Sequence, residues 1–193
     1  MKILKGYVVV ACDHPGSARY TIIDGQVVTP SNTNYSQEKL INDRPLDILQ
    51  IINGLELKSK SASTSSRNTL YNKIDTSNVA ISGMSFGGYS VALTLEYLDP
   101  RIKAAVMMCS SIGWGGEPSY SHQRKNKATP VMVMIGTEDT VLGAHNNDAN
   151  RQYYTTHTGS DDAFLVEIYR AGHCSFTSCE LYDPNYGKLD TER

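Results

Sequence analysis

Ser85 lies within Gly83-Met84-Ser85-Phe86-Gly87, which has the G-x-S-x-G pattern of a nucleophilic serine. A short apolar run at residues 79–82 precedes the pattern, so the serine is predicted to sit where a strand turns sharply into a helix. A Cβ at Gly83 or Gly87 is expected to collide with backbone in so tight a turn. The alternative is an inert serine in a glycine-rich turn.

A serine hydroxyl becomes a useful nucleophile only when a base removes its proton and an acid orients that base. The apolar run at residues 131–136 predicts a buried strand, and the loop after it carries Glu138 and Asp139. We predict Asp139 as the acid, with Glu138 as the nearest competitor and a solvated loop carboxylate as the alternative. Asp161 and Asp162 precede the next predicted strand, which places them at the opposite edge of the sheet.

The base is predicted to be His173, which lies just beyond the predicted strand at residues 164–169. Its place at the end of a strand puts it on the same edge of a parallel sheet as Ser85 and Asp139. The other histidines either precede the serine, lie in a polar loop or flank a predicted helix; they are His14, His122, His145 and His157. Ser85, His173 and Asp139 are therefore predicted to form a triad in which the histidine takes the serine proton and the aspartate orients the histidine.

Predicted strands and helices alternate along the chain, which indicates a doubly wound α/β fold. The strands are predicted at residues 7–11, 79–82, 104–109, 131–136 and 164–169. The helices are predicted at residues 43–57, 86–98, 146–157 and 174–181, with Pro45 in the opening turn of the first. Polar stretches at residues 29–38 and 58–68 lack apolar periodicity and are predicted to be exposed loops, with a lid as the alternative reading.

Five motifs in this order resemble the α/β-hydrolase superfamily. They are GYVVVACDHPG at residues 6–16, RPLDI at 44–48, GMSFGGY at 83–89, GTED at 136–139 and AGHCSF at 171–176. The pattern is similar to the dienelactone-hydrolase-like and platelet-activating-factor-acetylhydrolase-like esterases, near the cutinase-like polyester hydrolases. The resemblance implies one α/β-hydrolase domain over residues 1–193, with a mostly parallel sheet and helices on both faces. It implies nucleophile, acid and base at Ser85, Asp139 and His173.

Hydrolases of this kind begin with further strands and a helix before the segment that matches residues 6–16, so we expect an N-terminally shortened fold in which residues 7–11 form the family's fourth strand. The family's oxyanion hole uses the backbone N–H of the residue after the nucleophile, here Phe86, and a second N–H from the loop after the third strand. That loop has no counterpart, so the second donor is unknown. The loop at residues 14–17 could replace it, and low activity is the alternative.

Trp114 is the sole tryptophan, in the loop after the predicted strand at residues 104–109. In the similar polyester hydrolases, a tryptophan after the equivalent strand lines the cleft. The resemblance therefore implies that Trp114 binds substrate, and structural packing is the alternative.

The composition fits one domain of a chain with 193 residues and 40% hydrophobic content. A formal charge of −2 without a basic cluster argues against nucleic acid and anionic membranes as partners. No stretch approaches the ~20 apolar residues of a membrane span, and no signal peptide is evident. The chain is predicted to be cytoplasmic as written, or secreted if an upstream signal has been lost.

The cysteines do not settle the compartment. Cys12 and Cys109 are predicted to be small buried residues at strand ends. Cys174 and Cys179 are predicted to be two thiols, which could close a small loop in an oxidising setting. The Cys and His spacings lack the paired motifs that zinc uses, so we predict no metal and no cofactor.

These observations together predict a serine carboxylic-ester hydrolase that acts through an acyl-enzyme. Because no long hydrophobic cap is evident, the predicted substrates are small or short-acyl esters. The alternative is a weakly active or inactive hydrolase relative that serves as a binding protein. Exposed edges on the family's fourth and fifth strands would allow pairing with a second copy of the chain.

Overall fold

The computed structural model describes residues 2–4, 6–61, 70–113, 129–155 and 162–177. The chain divides into two compact units, Met1–Thr76 and Ser77–Arg193, and each is described by itself. One domain over residues 1–193 stays a prediction.

The first unit begins with two antiparallel hairpins. Strand β1 (Lys2–Leu4) pairs with β2 (Tyr7–Val9), and β3 (Thr21–Ile23) pairs with β4 (Gln26–Val28). The second hairpin turns at Asp24 and Gly25, whose φ angles of 49° and 77° suit the two-residue turn of a twisted hairpin. Sequence analysis missed this hairpin, although Asp-Gly between two apolar runs is its signature.

The prediction of a strand of the parallel sheet at residues 7–11 is wrong. The strand Tyr7–Val9 is three residues long and pairs antiparallel with β1 in a separate two-stranded sheet. Tyr7 is 73% exposed and Val9 is 48% exposed, so this apolar run is not buried. A short apolar run has the same composition in an edge hairpin as in a central strand, and the sequence pattern does not separate the two.

Helix α1 (Gln37–Lys60) is longer at both ends than the predicted helix at residues 43–57. Its start is fixed by Ser36, whose hydroxyl accepts a hydrogen bond from the N–H of Lys39 at 3.1 Å. Pro45 therefore lies inside the helix and not in its opening turn, which corrects the prediction. Residues 58–60, predicted as part of a loop, form the last turn of the helix, while residues 29–36 are irregular as predicted.

The second unit contains a parallel sheet of four strands in the order β5-β6-β7-β8. The strands are β5 (Val79–Met84), β6 (Ile102–Met108), β7 (Val131–Gly136) and β8 (Ala163–Ile168). Each was predicted with the correct type, and the predicted ends are displaced by two residues at most. In the inner strand β7, Val133 and Ile135 share one face and are fully buried at 0% exposure, while Met132 and Met134 on the other face are half-buried.

Helix α2 (Phe86–Thr94) follows β5 directly and continues as one 3₁₀ turn, Leu95–Tyr97. It packs against β5 and β6, and helix α3 (Gly143–Tyr153) packs against β7. A 3₁₀ helix, His173–Phe176, opens the segment predicted as a helix at 174–181, the end of which lies outside the described residues. The predicted α/β class with a mostly parallel sheet is confirmed.

Strands β5 and β8 are the edges of this sheet within the part of the chain that the structure describes. The predicted pairing with a second copy uses edges at residues 7–11 and 79–82. Residues 7–11 do not belong to this sheet, and pairing through the edge strand β5 stays a prediction. Among the described helices, none has both the length and the apolar character that crossing a membrane requires.

Candidate active site

Ser85 lies between the end of β5 and the start of α2, in a backbone conformation of φ 55° and ψ −123°. A positive φ is strained for a residue with a Cβ and persists only where the surroundings hold it. Here the N–H of Ser85 donates to Met108 at 2.9 Å, and its carbonyl accepts from the N–H groups of Ser111 at 3.0 Å and Tyr89 at 3.2 Å. The sharp turn predicted for the serine is therefore present, and the serine is partly exposed.

The glycines around Ser85 differ in whether a Cβ could be accommodated at their position. A Cβ on Gly83 would lie 2.3 Å from the backbone of Gly87, so the collision predicted at Gly83 is confirmed. The collision predicted at Gly87 is wrong, because nothing lies within 4 Å of a Cβ there. Gly88, which sequence analysis passed over, needs its small size, since its Cβ would lie 2.9 Å from that of Ser110.

Replacing Gly83 by alanine is expected to destabilise the fold by about 3 kcal/mol, because the added methyl group meets backbone that cannot move aside cheaply. Gly87→Ala is the matched control and is expected to remain within about 1 kcal/mol of the wild type, since alanine is the better helix former. Urea denaturation of both variants checks this difference. Equal free energies of unfolding for the two variants would contradict the close approach at Gly83.

Asp139 and His173 form the buried polar pair of the site. Asp139 lies in the loop after β7, and its Oδ2 is 2.7 Å from Nδ1 of His173, which follows β8. The other oxygen, Oδ1, accepts hydrogen bonds from the N–H groups of Val141 and Leu142 at 3.0 and 3.1 Å. A carboxylate can only accept, so Nδ1 of His173 donates and Nε2 is left as the proton acceptor.

The charge of Asp139 is stabilised although its side chain is buried. Burial by itself raises the pKa of this carboxyl, but hydrogen bonds from His173, from the backbone of Leu142 and from Cys109 outweigh it and hold the pKa below its usual value. Glu138, the competing candidate, instead lies 3.7 Å from Nε of Arg170. The structure thus brings Asp139, and not Glu138, to the histidine.

The ends of β7 and β8 approach each other closely enough to make this pair. A Cβ on Gly136 would lie 2.3 Å from the carbonyl oxygen of Ala171, which only a glycine tolerates. The same carbonyl accepts from the N–H of Glu138 at 3.0 Å. These contacts hold the segment before His173 against the loop that carries Asp139.

Cys109 is fully buried, as predicted, but it also belongs to the site, which the sequence pattern does not indicate. It follows β6, has a φ of 39°, and its thiol lies with the Asp139 carboxylate and the His173 ring within 4.8 Å. The position of Cys109 at the end of β6 does indicate a place in the site, because β6 lies between the strands whose loops carry Ser85 and Asp139.

Thiol, carboxylate and imidazole are also the ligand types that zinc takes. Each of Cys109, Asp139 and His173 comes from the end of a different strand, so no spacing motif could reveal the cluster. In this arrangement Asp139 and His173 are already bonded to each other, and a metal ion that used those two atoms would have to break that hydrogen bond.

Helix α3 holds the segment that follows Cys109, and sequence analysis did not find this contact. The side chains of Asn146 and Asn150 donate to the carbonyl of Ser110 at 2.5 and 2.7 Å, and Oδ1 of Asn146 accepts from the N–H of Gly113 at 3.0 Å. Trp114 comes next and lies outside the described residues, so its contact with substrate stays a prediction.

One donor of the oxyanion hole, the backbone N–H of Phe86, is predicted. Phe86 is the first residue of α2, where the N–H groups of a helix carry partial positive charge. In the loop at residues 14–17, the N–H groups of Ser17 and Ala18 both donate to the carbonyl of His14 at 3.0 Å. The role of Phe86 stays a prediction, and the second donor is unassigned.

Taken together, the four described side chains of the site follow four neighbouring parallel strands, whose carboxyl ends share one edge. They are Ser85, Cys109, Asp139 and His173. The last three are in contact, and Ser85 is tied by its backbone to the end of β6. The Ser85 hydroxyl makes no hydrogen bond within the described ranges; such bonds often tighten only when substrate is bound.

A family model described as PETase, PET hydrolase-like, matches residues 23–187 of the chain. The search of curated proteins gives no match. Among solved structures, the chain is similar to a predicted CIB-like hydrolase from Thermoplasma acidophilum, with 14% identity, a TM-score of 0.51, and coverage of 93% of this chain and 68% of that chain. It is similar to SOBER1 from Arabidopsis thaliana, with 16% identity, a TM-score of 0.51, and coverage of 84% and 68%. At these identities the likeness shows the fold alone.

The chain spans a smaller part of other structures that it resembles. An IroE-like serine hydrolase from Shewanella oneidensis shares 20% identity over 54% of this chain and 37% of its own length, with a TM-score of 0.41.

Proposed function

The chain belongs to the PETase family of PET hydrolase-like proteins, and from this premise we propose that it cleaves carboxylic esters through a nucleophilic serine. The observation that carries the proposal is the buried hydrogen bond of 2.7 Å between Asp139 and His173, at the sheet edge where the strained turn presents Ser85. A base whose tautomer is fixed by a carboxylate is what a serine nucleophile requires.

In the proposed reaction, Nε2 of His173 takes the proton of Ser85 while the serine oxygen attacks the ester carbonyl carbon. The tetrahedral oxyanion is stabilised by the N–H of Phe86, at the start of α2. The ester C–O bond then breaks, and the leaving alcohol receives the proton from His173. Water attacks the acyl-enzyme by the same route, which releases the acid and restores Ser85.

Asp139 has two tasks in this sequence. Its hydrogen bond keeps the proton of His173 on Nδ1, so that Nε2 faces the reaction as an acceptor. Its negative charge stabilises the imidazolium that forms when the serine proton arrives. The lowered pKa of Asp139 supports this role, because the carboxylate is ionised throughout the range in which the histidine must act as a base.

We propose small or short-acyl esters as substrates, with Trp114 contributing an apolar wall beside the acyl group. The PET hydrolase-like family agrees with the ester bond as the bond that is cleaved. The partner is accordingly a small-molecule ester. We assign the chain no role toward nucleic acid or membranes, because its formal charge of −2 gives it no electrostatic attraction to either.

A series of p-nitrophenyl esters of increasing acyl length tests the substrate class. We expect kcat/KM to be highest for the acetyl and butyryl esters and to fall by about tenfold or more for long chains, because the sequence provides no long hydrophobic cap that could cover the extra methylenes. The Ser85→Ala variant supplies the background rate for each ester. A maximum at long acyl chains would overturn the proposed substrate class.

A further inference from the structure

A second group of chemically active side chains lies in the unit Met1–Thr76. His14, in the loop after β2, places Nδ1 2.8 Å from Oδ2 of Asp47 on helix α1. Its other ring nitrogen, Nε2, lies 3.7 Å from Sγ of Cys12, which is within hydrogen-bond reach for a sulfur atom. The imidazole of His14 thus contacts the thiol of Cys12 through one ring nitrogen and the carboxylate of Asp47 through the other.

The order of these contacts fixes which atoms donate. Because the carboxylate of Asp47 can only accept, Nδ1 of His14 carries the proton, and the lone pair of Nε2 faces the thiol. The His14 side chain is 11% exposed and that of Asp47 is 35% exposed, so the pair is shielded but not sealed. Cys12 is partly exposed and can be reached by a small reagent.

Burial is the main reason why the thiol and the imidazole both favour their neutral forms. Burial lowers the pKa of His14 and the charge of Arg44 acts in the same direction, while the hydrogen bond that His14 donates to Asp47 and the charge of Asp47 raise it. Burial raises the pKa of the Cys12 thiol and the charge of Asp47 adds to this, while the charge of Arg44 acts in the opposite direction. Asp13, which lies between the two in sequence, raises both values by a smaller amount. His14 is therefore available as a base when the thiol reacts.

We propose that Cys12, His14 and Asp47 form a second triad of nucleophile, base and orienting acid, and that Cys12 is a site of covalent acylation by small activated esters. Sγ of Cys12 attacks the carbonyl carbon of an aryl ester, and an S–C bond forms as the S–H proton passes to Nε2 of His14. The ester C–O bond breaks, the phenolate leaves with its electron pair, and it takes the proton from Nε2 of His14 to become the phenol. The products are a thioester on Cys12 and the free phenol, and no further reactant is needed.

The test uses the full-length Ser85→Ala variant, so that its outcome is independent of the proposed ester hydrolysis at Ser85. The protein is treated with p-nitrophenyl acetate at neutral pH, and peptide mass spectrometry follows the addition of one acetyl group to Cys12. We expect Cys12 to be acetylated about 10²-fold faster than in Ser85→Ala/His14→Asn, the usual contribution of a general base. Ser85→Ala/Asp47→Asn is also expected to be acetylated at Cys12 more slowly than Ser85→Ala, because this variant lacks the carboxylate that orients the imidazole of His14.

Asp13→Asn is the matched control, since it also turns a carboxylate into an amide beside the group but removes no member of it. Because the charge of Asp13 has only a small effect on the pKa values of Cys12 and His14, this variant is expected to change the rate of Cys12 acetylation by no more than about twofold. Cys12→Ala is expected to abolish this thioester. An unmodified Cys12, or equal rates with and without His14 in folded protein, would overturn the proposal. If circular dichroism shows that the His14 and Asp47 variants are both unfolded, the rate of Cys12 acetylation in folded Ser85→Ala is compared with that of N-acetylcysteine. A rate at Cys12 that is no higher than that of the free thiol would overturn the proposal.

Discussion

Replacing Ser85 by alanine is expected to lower kcat for a short-acyl ester by about 10⁶-fold, the loss that follows removal of a serine nucleophile whose partners remain. The fold should be unaffected, because the contacts of Ser85 with Met108, Tyr89 and Ser111 are made by its backbone. Alanine meets the same strain at a φ of 55° as serine does, so the turn gains no relief and suffers no new cost. The measurement is steady-state hydrolysis of p-nitrophenyl acetate, with circular dichroism as the check of folding.

Ser82→Ala is the matched control for Ser85→Ala. Ser82 is an exposed serine on β5, three residues before the nucleophile, and its replacement is expected to leave kcat within about twofold of the wild type. Retention of more than a hundredth of the wild-type rate by folded Ser85→Ala would contradict the assignment of the nucleophile.

Asp139→Asn is expected to lower kcat by about 10⁴-fold while the site keeps its shape. The backbone N–H groups of Val141 and Leu142 donate to Oδ1, so the asparagine must keep its oxygen there and turn its NH₂ group toward His173. Nδ1 of the histidine then becomes an acceptor, and its proton moves to Nε2. In that tautomer the ring has no lone pair with which to take the proton of Ser85.

Glu138→Gln is the control for Asp139→Asn, because it makes the same chemical change one residue earlier in the loop. The Glu138 carboxylate lies near Arg170 and not near the histidine, so kcat is expected to change by no more than a few-fold. A larger loss in Glu138→Gln than in Asp139→Asn would show that the acid has been misassigned.

The lowered pKa of Asp139 also gives the pH dependence of stability a definite sign. A carboxyl with a lower pKa in the folded than in the unfolded chain stabilises the fold above its unfolded value of about 3.9, and this stabilisation is lost as the pH falls through the folded value. The difference in unfolding free energy between the wild type and Asp139→Asn should therefore shrink below about pH 4. A difference that grows on acidification would contradict the ionised, hydrogen-bonded carboxylate.

The pairing of Asp139 with His173 could be predicted from the sequence because the chemistry follows from the topology. Each residue comes directly after an apolar run, and the carboxyl ends of parallel strands meet at one edge. The strand ends were accordingly predicted to within two residues, which is enough to place loops.

Other features depend on approaches in space that no local pattern encodes. Cys109 and the close contact of Gly88 with Ser110 arise where loops from different strands meet, so neither has a spacing signature. The collision predicted for a Cβ on Gly87 was wrong for a related reason. The G-x-S-x-G pattern does not show which of its two glycines has nearby backbone where a Cβ would lie. The hairpin around Asp24 does have a local signature, which is Asp-Gly between two apolar runs.

The most direct measurement of the central claim is labelling of the intact protein with a fluorophosphonate probe, followed by mapping of the modified peptide. The probe reacts with a serine only when a neighbouring base activates it, so it reports on Ser85, His173 and Asp139 together. We predict a single label on Ser85, absent in Ser85→Ala and slowed about 10²-fold or more in Asp139→Asn. Folded wild-type protein that takes no label, or takes it on a serine other than Ser85, would contradict the account.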